Sequence, residues 1–275
     1  MFTRSTLLKK IKTGLRLGFA DPKMLISRLQ SFRKPPLFLF QMGKVASRTH
    51  DKTLMHLYYV QHFHDEIEFD AALHKGTKNF QGAEHYPYDI ITATRDPISR
   101  KISAFFQNLT ADYYDFSYAT LEEAKAATVE DMVKRFHSWS DGINEATGWF
   151  DKHFITKTDI DVYEHDFDPA QGWSLIESEQ YRVLIVKFED IKKNHVDALN
   201  ALVSKSFGTG HELAELQSNN LSDDKWYAEI MEEFKNKVRF TEDEINSAYD
   251  SKYMQHFYSK EQILALKAKW NLTKS

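Results

Sequence analysis

The 275-residue chain contains no cysteine. Disulfide bridges, zinc–thiolate sites and cysteine nucleophiles are therefore excluded. A chain of this kind suits a reducing compartment, and we expect a cytoplasmic protein. The sequence also lacks any apolar run of the ~18–20 residues that a membrane-spanning helix needs. Functions that depend on thiol chemistry or on a membrane span are thus set aside.

The chain also lacks an overall excess of positive charge. Its net charge is −4, yet residues 1–34 carry nine Lys or Arg against one acid, which leaves −12 on the remainder. An acidic body argues against nucleic-acid binding, which needs a basic face. Residues 5–19 have apolar positions at helical spacing with lysines between them, a pattern that predicts an amphipathic helix. We expect this segment either to contact a membrane surface or a protein partner, or to lie on the acidic body.

Glycine and proline are scarce, at ten and six residues, and they form no linker or low-complexity stretch. With 42% apolar residues, a chain of this length can bury one large core. The pair Pro35-Pro36 is typical of a hinge. We therefore predict a basic N-terminal segment, 1–34, followed by one domain, 35–275.

Apolar runs without polar alternation predict buried strands. The runs are 37–40, 58–65, 89–97 and 181–190, with helices predicted over 47–58 and 97–108 between them. This alternation favours an α/β class with a central, mainly parallel sheet flanked by helices in three layers. Ligands in such folds bind at the carboxyl ends of the strands.

The string FLFQMGKVASRTHDK places Gly43 and Lys44 directly after the first strand. A nucleotide-triphosphatase P-loop needs an earlier glycine and a Ser or Thr after the lysine, where this chain has Val45. What remains is a shorter turn whose N–H groups, at a helix N-terminus, can hold a phosphate. Lys44 would add positive charge to this turn. Ser47 and Thr49 would supply hydroxyl donors. The alternative is a tight helix start that binds nothing.

A second polar group closes the third strand. Arg95 ends the strand, Asp96 is a predicted N-cap, and Ser103 lies about two helical turns further on. An arginine fork and a serine hydroxyl suit a second phosphate. The alternative pairs Arg95 with Asp96 or Glu189 in a structural salt bridge.

The strings GKVASRT and ATRDPISRKISAFFQN together resemble the two cofactor motifs of sulfotransferases that use 3′-phosphoadenosine 5′-phosphosulfate (PAPS), in particular the carbohydrate branch. The resemblance implies a P-loop-like fold, no metal requirement, and a 3′-phosphate site at Arg95 and Ser103. It also implies a 5′-phosphosulfate site at Gly43, Lys44, Val45, Ala46, Ser47, Arg48 and Thr49. Two positions depart from the pattern: Gly43 stands where many relatives have proline, and Arg48 where many have threonine.

Further strings, NLSDDKWYAEI and SKYMQHFYSKEQI, resemble a bacterial family of capsular polysaccharide synthesis proteins. Its namesake string is Asn-Lys-Trp-Tyr-Ser, of which Lys225, Trp226 and Tyr227 match here. The string VKFEDI resembles the late sulfotransferase strand. Lys225 and Trp226 would supply a charge for the 3′-phosphate and a stacking surface for adenine, or else pack a helix.

A His-x-His at the end of the second strand, His62 and His64, resembles the carbohydrate O-sulfotransferases, in which the second histidine is the base. The resemblance implies His64 as base, His62 as its assistant and Lys44 as the group that stabilises the leaving phosphate. Imidazole titrates close to working pH, as this role requires. His74 and His85 are rivals, and a metal site on the same His-x-His is the less favoured alternative.

These observations predict an enzyme that moves a sulfuryl group from PAPS to a hydroxyl. The resemblance implies a glycan acceptor near the inner membrane face, and the alternative acceptors are a small molecule or a peptidyl tyrosine. One alternative is a nucleotide kinase, which would need ATP and magnesium. The other is a non-catalytic nucleotide- or glycan-binding module in polysaccharide assembly. An aromatic run, predicted as core rather than as a sugar-stacking surface, comprises Phe105, Phe106, Tyr113, Tyr114, Phe116 and Tyr118.

Overall fold

A computed structural model describes residues 34–70, 87–139, 142–217 and 225–270 of the chain. The predicted basic segment, apart from Lys34, lies outside the described residues. The rival bases His74 and His85 lie outside them too.

Five strands form one sheet in the order β2-β1-β3-β5-β4. They are β1 Pro36–Phe40, β2 Tyr59–Phe63, β3 Tyr88–Thr94, β4 Trp173–Glu177 and β5 Tyr181–Lys187. The first three pairings across the sheet are parallel, and β4 runs antiparallel to β5 at the edge. The predicted α/β class with a mainly parallel sheet is confirmed. Strand β4 was missed, because its sequence WSLIE buries a single residue and gives little apolar signal.

Helices connect and follow the strands. They are α1 Ser47–Leu54, α2 Pro97–Gln107, α3 Leu121–Ala126, α4 Val129–Ser138, α5 Gly142–Thr147, α6 Ile191–Phe207, α7 Ala228–Lys237, α8 Glu242–Tyr249, α9 Lys252–Phe257 and α10 Lys260–Trp270. Phe150–Ile155 forms a π-helix, and Val162–Glu164 and Phe188–Asp190 are 3₁₀ turns. In the ranges given above, no helix combines the length and apolarity needed to cross a bilayer.

The two predicted helices next to the strand ends are present. Pro97 opens α2, and the Asp96 side chain caps it by accepting hydrogen bonds from the backbone N–H groups of Ile98 and Ser99. Helix α1 ends earlier than the predicted Tyr58, because the chain must turn to place the Tyr59 N–H 2.9 Å from the Pro35 carbonyl at the start of β2.

Side chains from other elements cover both faces of the sheet. The register places Asp89 beside Leu37, and Asp89 accepts a 2.5 Å hydrogen bond from Ser206 of α6. Phe40 lies three residues after Leu37, so it points to the opposite face. There its ring stacks on Phe69 with a centroid distance of 4.5 Å. The sheet is therefore buried between two layers.

The buried Asp96 carboxylate ties the C-terminal helices to the end of β3. The Tyr249 hydroxyl of α8 donates to Asp96 Oδ1 at 2.6 Å, and the Trp270 indole donates to Oδ2 at 3.3 Å. The Asp96 backbone N–H donates to the Glu189 carboxylate at 2.8 Å. Residues distant in the sequence therefore converge on the end of one strand.

Arg95 is held by the same group of helices. Its backbone N–H donates to the Tyr253 hydroxyl at 2.8 Å, and that hydroxyl lies 3.0 Å from the Arg95 carbonyl, to which it donates. Tyr258 donates to Glu189 at 2.9 Å. Three tyrosines of one C-terminal segment therefore fix the strand end that carries Arg95.

We expect Tyr249→Phe to lower the free energy of unfolding by about 1.5–3 kcal/mol, because it removes a hydrogen bond to a buried carboxylate and adds no partner. Urea unfolding followed by circular dichroism measures the change. Tyr113→Phe is the matched control, since the Tyr113 side chain is 72% exposed. Equal midpoints for the two variants would contradict the role given to Asp96.

Candidate functional site

The strand order defines a switch point at the carboxyl ends of β1 and β3. From β1 the chain moves to β2 on one side and then returns to β3 on the other. Open α/β sheets bind ligands at such a point. The loop 41–46 follows β1, and Arg95 follows β3. The two predicted anion motifs therefore meet at the carboxyl ends of β1 and β3.

The loop adopts an unusual backbone conformation. Lys44 has φ of 75° and Ala46 has φ of 69°, while Val45 between them has no positive φ. Alternation of this kind brings successive N–H groups to one side, as in anion-binding nests. Each non-glycine residue in this region costs roughly 1–2 kcal/mol, so neighbouring groups must hold the loop in place.

Two arginines hold the loop through its carbonyl oxygens. Arg95 Nη1 donates to the Lys44 carbonyl at 2.7 Å, and Arg100 Nε lies 3.3 Å from the Gly43 carbonyl, to which it donates. Arg100 is buried and forms a two-point ion pair with Glu145 at 2.8 and 2.9 Å. Because guanidinium groups bind the carbonyl oxygens of Gly43 and Lys44, these oxygens repel a nearby anion less. Sequence reasoning missed Arg100, although it stands only five residues after Arg95.

Arg95 does not form the salt bridge considered as its structural alternative. Glu189 instead accepts hydrogen bonds from Asp96 N–H and Tyr258, and no ion pair to Arg95 occurs within the described residues. Its guanidinium carbon lies 4.1 Å from the centre of the Phe188 ring. Arg95 Nε is buried and has no hydrogen-bond partner in the described part of the chain.

Lys44 lies in a cluster of positive charge. Its pKa is lowered from 10.5 to about 7, mainly by burial and then, in decreasing order, by the positive charges of Lys225, Arg100, Arg48 and Arg95. The contribution of Lys225 means that the Lys-Trp-Tyr segment is near the loop. An anion bound here would relieve this repulsion, so the cluster has the charge of an anion site.

The other predicted loop residues differ in their contacts. Ser47 Oγ accepts a 2.7 Å hydrogen bond from the buried Gln41 side chain, while Val45 and Thr49 are buried and Arg48 is exposed. Ser103 is half-buried on α2, and no hydrogen bond joins it to another described residue. The structure thus brings residues 43–49 to Arg95, and it shows no bond from Ser103 to the loop.

His64 follows β2 and lies beside the start of the loop. Its Nδ1 is 3.0 Å from the Gln41 carbonyl. A carbonyl oxygen only accepts, so Nδ1 carries a proton, and in the neutral imidazole Nε2 then carries the lone pair. The His64 side chain is exposed. Nε2 is therefore available to take a proton from a substrate.

His62 has a different environment. Its Nε2 is 3.0 Å from the Asp51 carboxylate of α1, and its side chain is 29% exposed. Asp51 therefore holds one of its ring nitrogens against the helix. No group of three or more potential metal ligands converges among the residues described.

The aromatic residues after Arg95 belong mainly to the core, as predicted. Phe105, Phe106, Phe116 and Tyr118 are buried, and Tyr113 is exposed. Trp226, considered as an adenine surface, is 39% exposed and lies 5.9 Å from the Lys125 ammonium.

Residues 129–259 match the model of the NKWYS family, described as "Putative capsular polysaccharide synthesis protein". The match spans just under half of the chain and begins after the loop and Arg95. No curated protein and no solved structure matches the chain significantly. The matched region contains Glu145, Tyr253 and Tyr258. These residues bond Arg100, the Arg95 backbone and Glu189, respectively.

We expect the Lys44 side chain to titrate near pH 7, because it is half-buried among other cations. The measurement is an NMR pH titration of ¹³C-labelled lysine, with Lys44→Arg identifying the resonance. Added sulfate should raise the midpoint, since an anion favours the charged amine. A midpoint near 10.5, insensitive to sulfate, would show that the cation cluster does not exist.

Proposed function

We propose that this chain is a PAPS-dependent O-sulfotransferase with a P-loop-like fold, whose acceptor is the hydroxyl of a glycan. The observation that carries the proposal is the cation cluster around Lys44, placed on a strained loop at the switch point of the sheet. The name of the matched family suggests a role in capsular polysaccharide synthesis, which supports a glycan acceptor.

The residues fit a donor with two anionic ends. The N–H groups of residues 43–49 and the Lys44 ammonium would hold the 5′-phosphosulfate at the start of α1. Arg95, Ser103 and Lys225 would hold the 3′-phosphate. The unpartnered Nε of Arg95 is consistent with this assignment.

PAPS would supply the sulfuryl group: a new S–O bond forms to the acceptor oxygen while the bond to the bridging phosphate oxygen breaks. His64 Nε2 takes the acceptor proton. Lys44 and the loop N–H groups neutralise the charge that grows on the leaving oxygen. A preorganised donor of this kind typically contributes roughly 10²–10³ in rate.

His64 is the better base of the two histidines. Its Nδ1 proton is bound by the Gln41 carbonyl, and its side chain is exposed beside the loop. His62 already contacts Asp51 through Nε2. We assign the proton transfer to His64 and a supporting role to His62.

Calorimetry with adenosine 3′,5′-bisphosphate tests the donor site. We expect micromolar binding without magnesium, and weaker binding of ATP with magnesium. Arg95→Ala should reduce affinity for the bisphosphate by roughly 10–100-fold, as expected for loss of a charge-assisted hydrogen bond.

Adenosine 5′-phosphate, which lacks the 3′-phosphate, separates two effects of that variant, because Arg95 also holds the Lys44 carbonyl. If Arg95 binds the 3′-phosphate, Arg95→Ala should lower the affinity for the bisphosphate and leave the affinity for the monophosphate unchanged. Equal losses would mean that Arg95 acts through the loop alone. Arg239→Ala, at an exposed arginine bonded to nearby carbonyls, is the matched control. Preference for ATP with magnesium would favour a nucleotide kinase instead.

Substituting the base tests catalysis separately from binding. We expect His64→Gln to lower sulfuryl transfer from ³⁵S-labelled PAPS to polysaccharide acceptors by roughly 10²–10⁴, with bisphosphate affinity unchanged. His62→Gln, the paired control, should have a smaller effect. Acceptor transfer that is indifferent to His64 would reject the base assignment. Bisphosphate binding without any transfer would favour a non-catalytic module.

A further inference from the structure

His64 is exposed, yet its polar atoms are nearly all engaged. The backbone N–H donates to Glu68 at 3.1 Å, ring Nδ1 bonds the Gln41 carbonyl at 3.0 Å, and the backbone carbonyl accepts from the Trp149 indole at 2.9 Å. Nε2 alone lacks a partner within the described residues. An exposed side chain fixed in this way suggests that its position matters.

The Trp149 contact comes from a well-anchored part of the molecule. Trp149 is 2% exposed, and its ring packs edge-on against Phe40 of β1 at 5.2 Å. It directly precedes the π-helix Phe150–Ile155. Single π-helical turns are rare and occur often at functional sites.

The same stretch makes two further contacts with the site. His153, within the π-helix, forms a hydrogen bond through its Nδ1 with the carboxylate of Glu66, two residues after His64. Glu145, in the preceding helix α5, holds Arg100 and thereby the Gly43 carbonyl. The stretch 145–153 therefore contacts both the loop and the segment that carries the base.

We propose that Trp149 is a positioning residue for His64, and that the stretch 145–153 sets the distance between the base and the phosphosulfate loop. This inference rests on the proposed function, since it concerns the same base. The indole N–H holds the His64 carbonyl, and this contact keeps Nδ1 against Gln41 and Nε2 facing the acceptor. A displacement of about 1 Å at a reacting group can cost roughly 10²-fold in rate.

Trp149→Phe tests the proposal, because it keeps an aromatic ring in the core and removes the N–H. The first readout is the tautomer of His64 in the ¹⁵N NMR spectrum of the full chain. We expect one tautomer, with the proton on Nδ1, in the wild type and a mixture in Trp149→Phe. The second readout is turnover at saturating PAPS, expected to fall about 10–100-fold with bisphosphate affinity within twofold.

Trp173→Phe is the control, since the Trp173 indole makes no hydrogen bond within the ranges described. His153→Gln is a second variant that loosens the same segment without altering the buried indole, should Trp149→Phe fold poorly. An unchanged tautomer and turnover in both variants would overturn the proposal, as would an equal effect of Trp173→Phe. The NMR measurement of the His64 tautomer does not depend on enzymatic activity. An absence of sulfuryl transfer would therefore reject the proposed function, while the tautomer would still decide the role of Trp149.

Discussion

The Asp96 carboxylate, buried at the end of β3, is the interaction on which the site depends. It caps α2 and accepts hydrogen bonds from Tyr249 and Trp270, so it joins the strand end to the C-terminal helices. A buried carboxylate without such donors would cost several kcal/mol. Because Arg95 directly precedes Asp96, the same bonds also fix the arginine that holds the Lys44 carbonyl.

Two regions of the chain contribute residues to the candidate site. The first 107 residues contain the loop, the proposed base His64 and the arginines that touch the loop. The region that matches the capsular polysaccharide family supports these groups from outside: Glu145 holds Arg100, Trp149 holds the segment of His64, and Tyr253 holds Arg95. The family match and the sulfotransferase-like motifs therefore describe complementary parts of one structure.

Local features could be read from the sequence, and long-range ones could not. Apolar runs predict the four parallel strands, and Asp96-Pro97 predicts the capped start of α2, because each depends on neighbouring residues. The Arg100–Glu145 pair spans 45 residues and the Trp149–His64 bond spans 85. Nothing in the local pattern of either partner indicates the other, so the groups that hold the loop and His64 in place can be identified only from the fold.

The loop combines two costs that a bound anion would offset. Lys44 and Ala46 hold left-handed backbone conformations, and the Lys44 ammonium lies among other cations that depress its pKa. In a triphosphate site, a hydroxyl after the lysine binds magnesium, which supplies positive charge. Here that position is the buried Val45, and side chains from the loop, β3, α2 and the Lys-Trp-Tyr segment supply the charge instead. Charge fixed by the fold before the ligand arrives requires little reorganisation during the reaction, which suits the transfer of an anionic group.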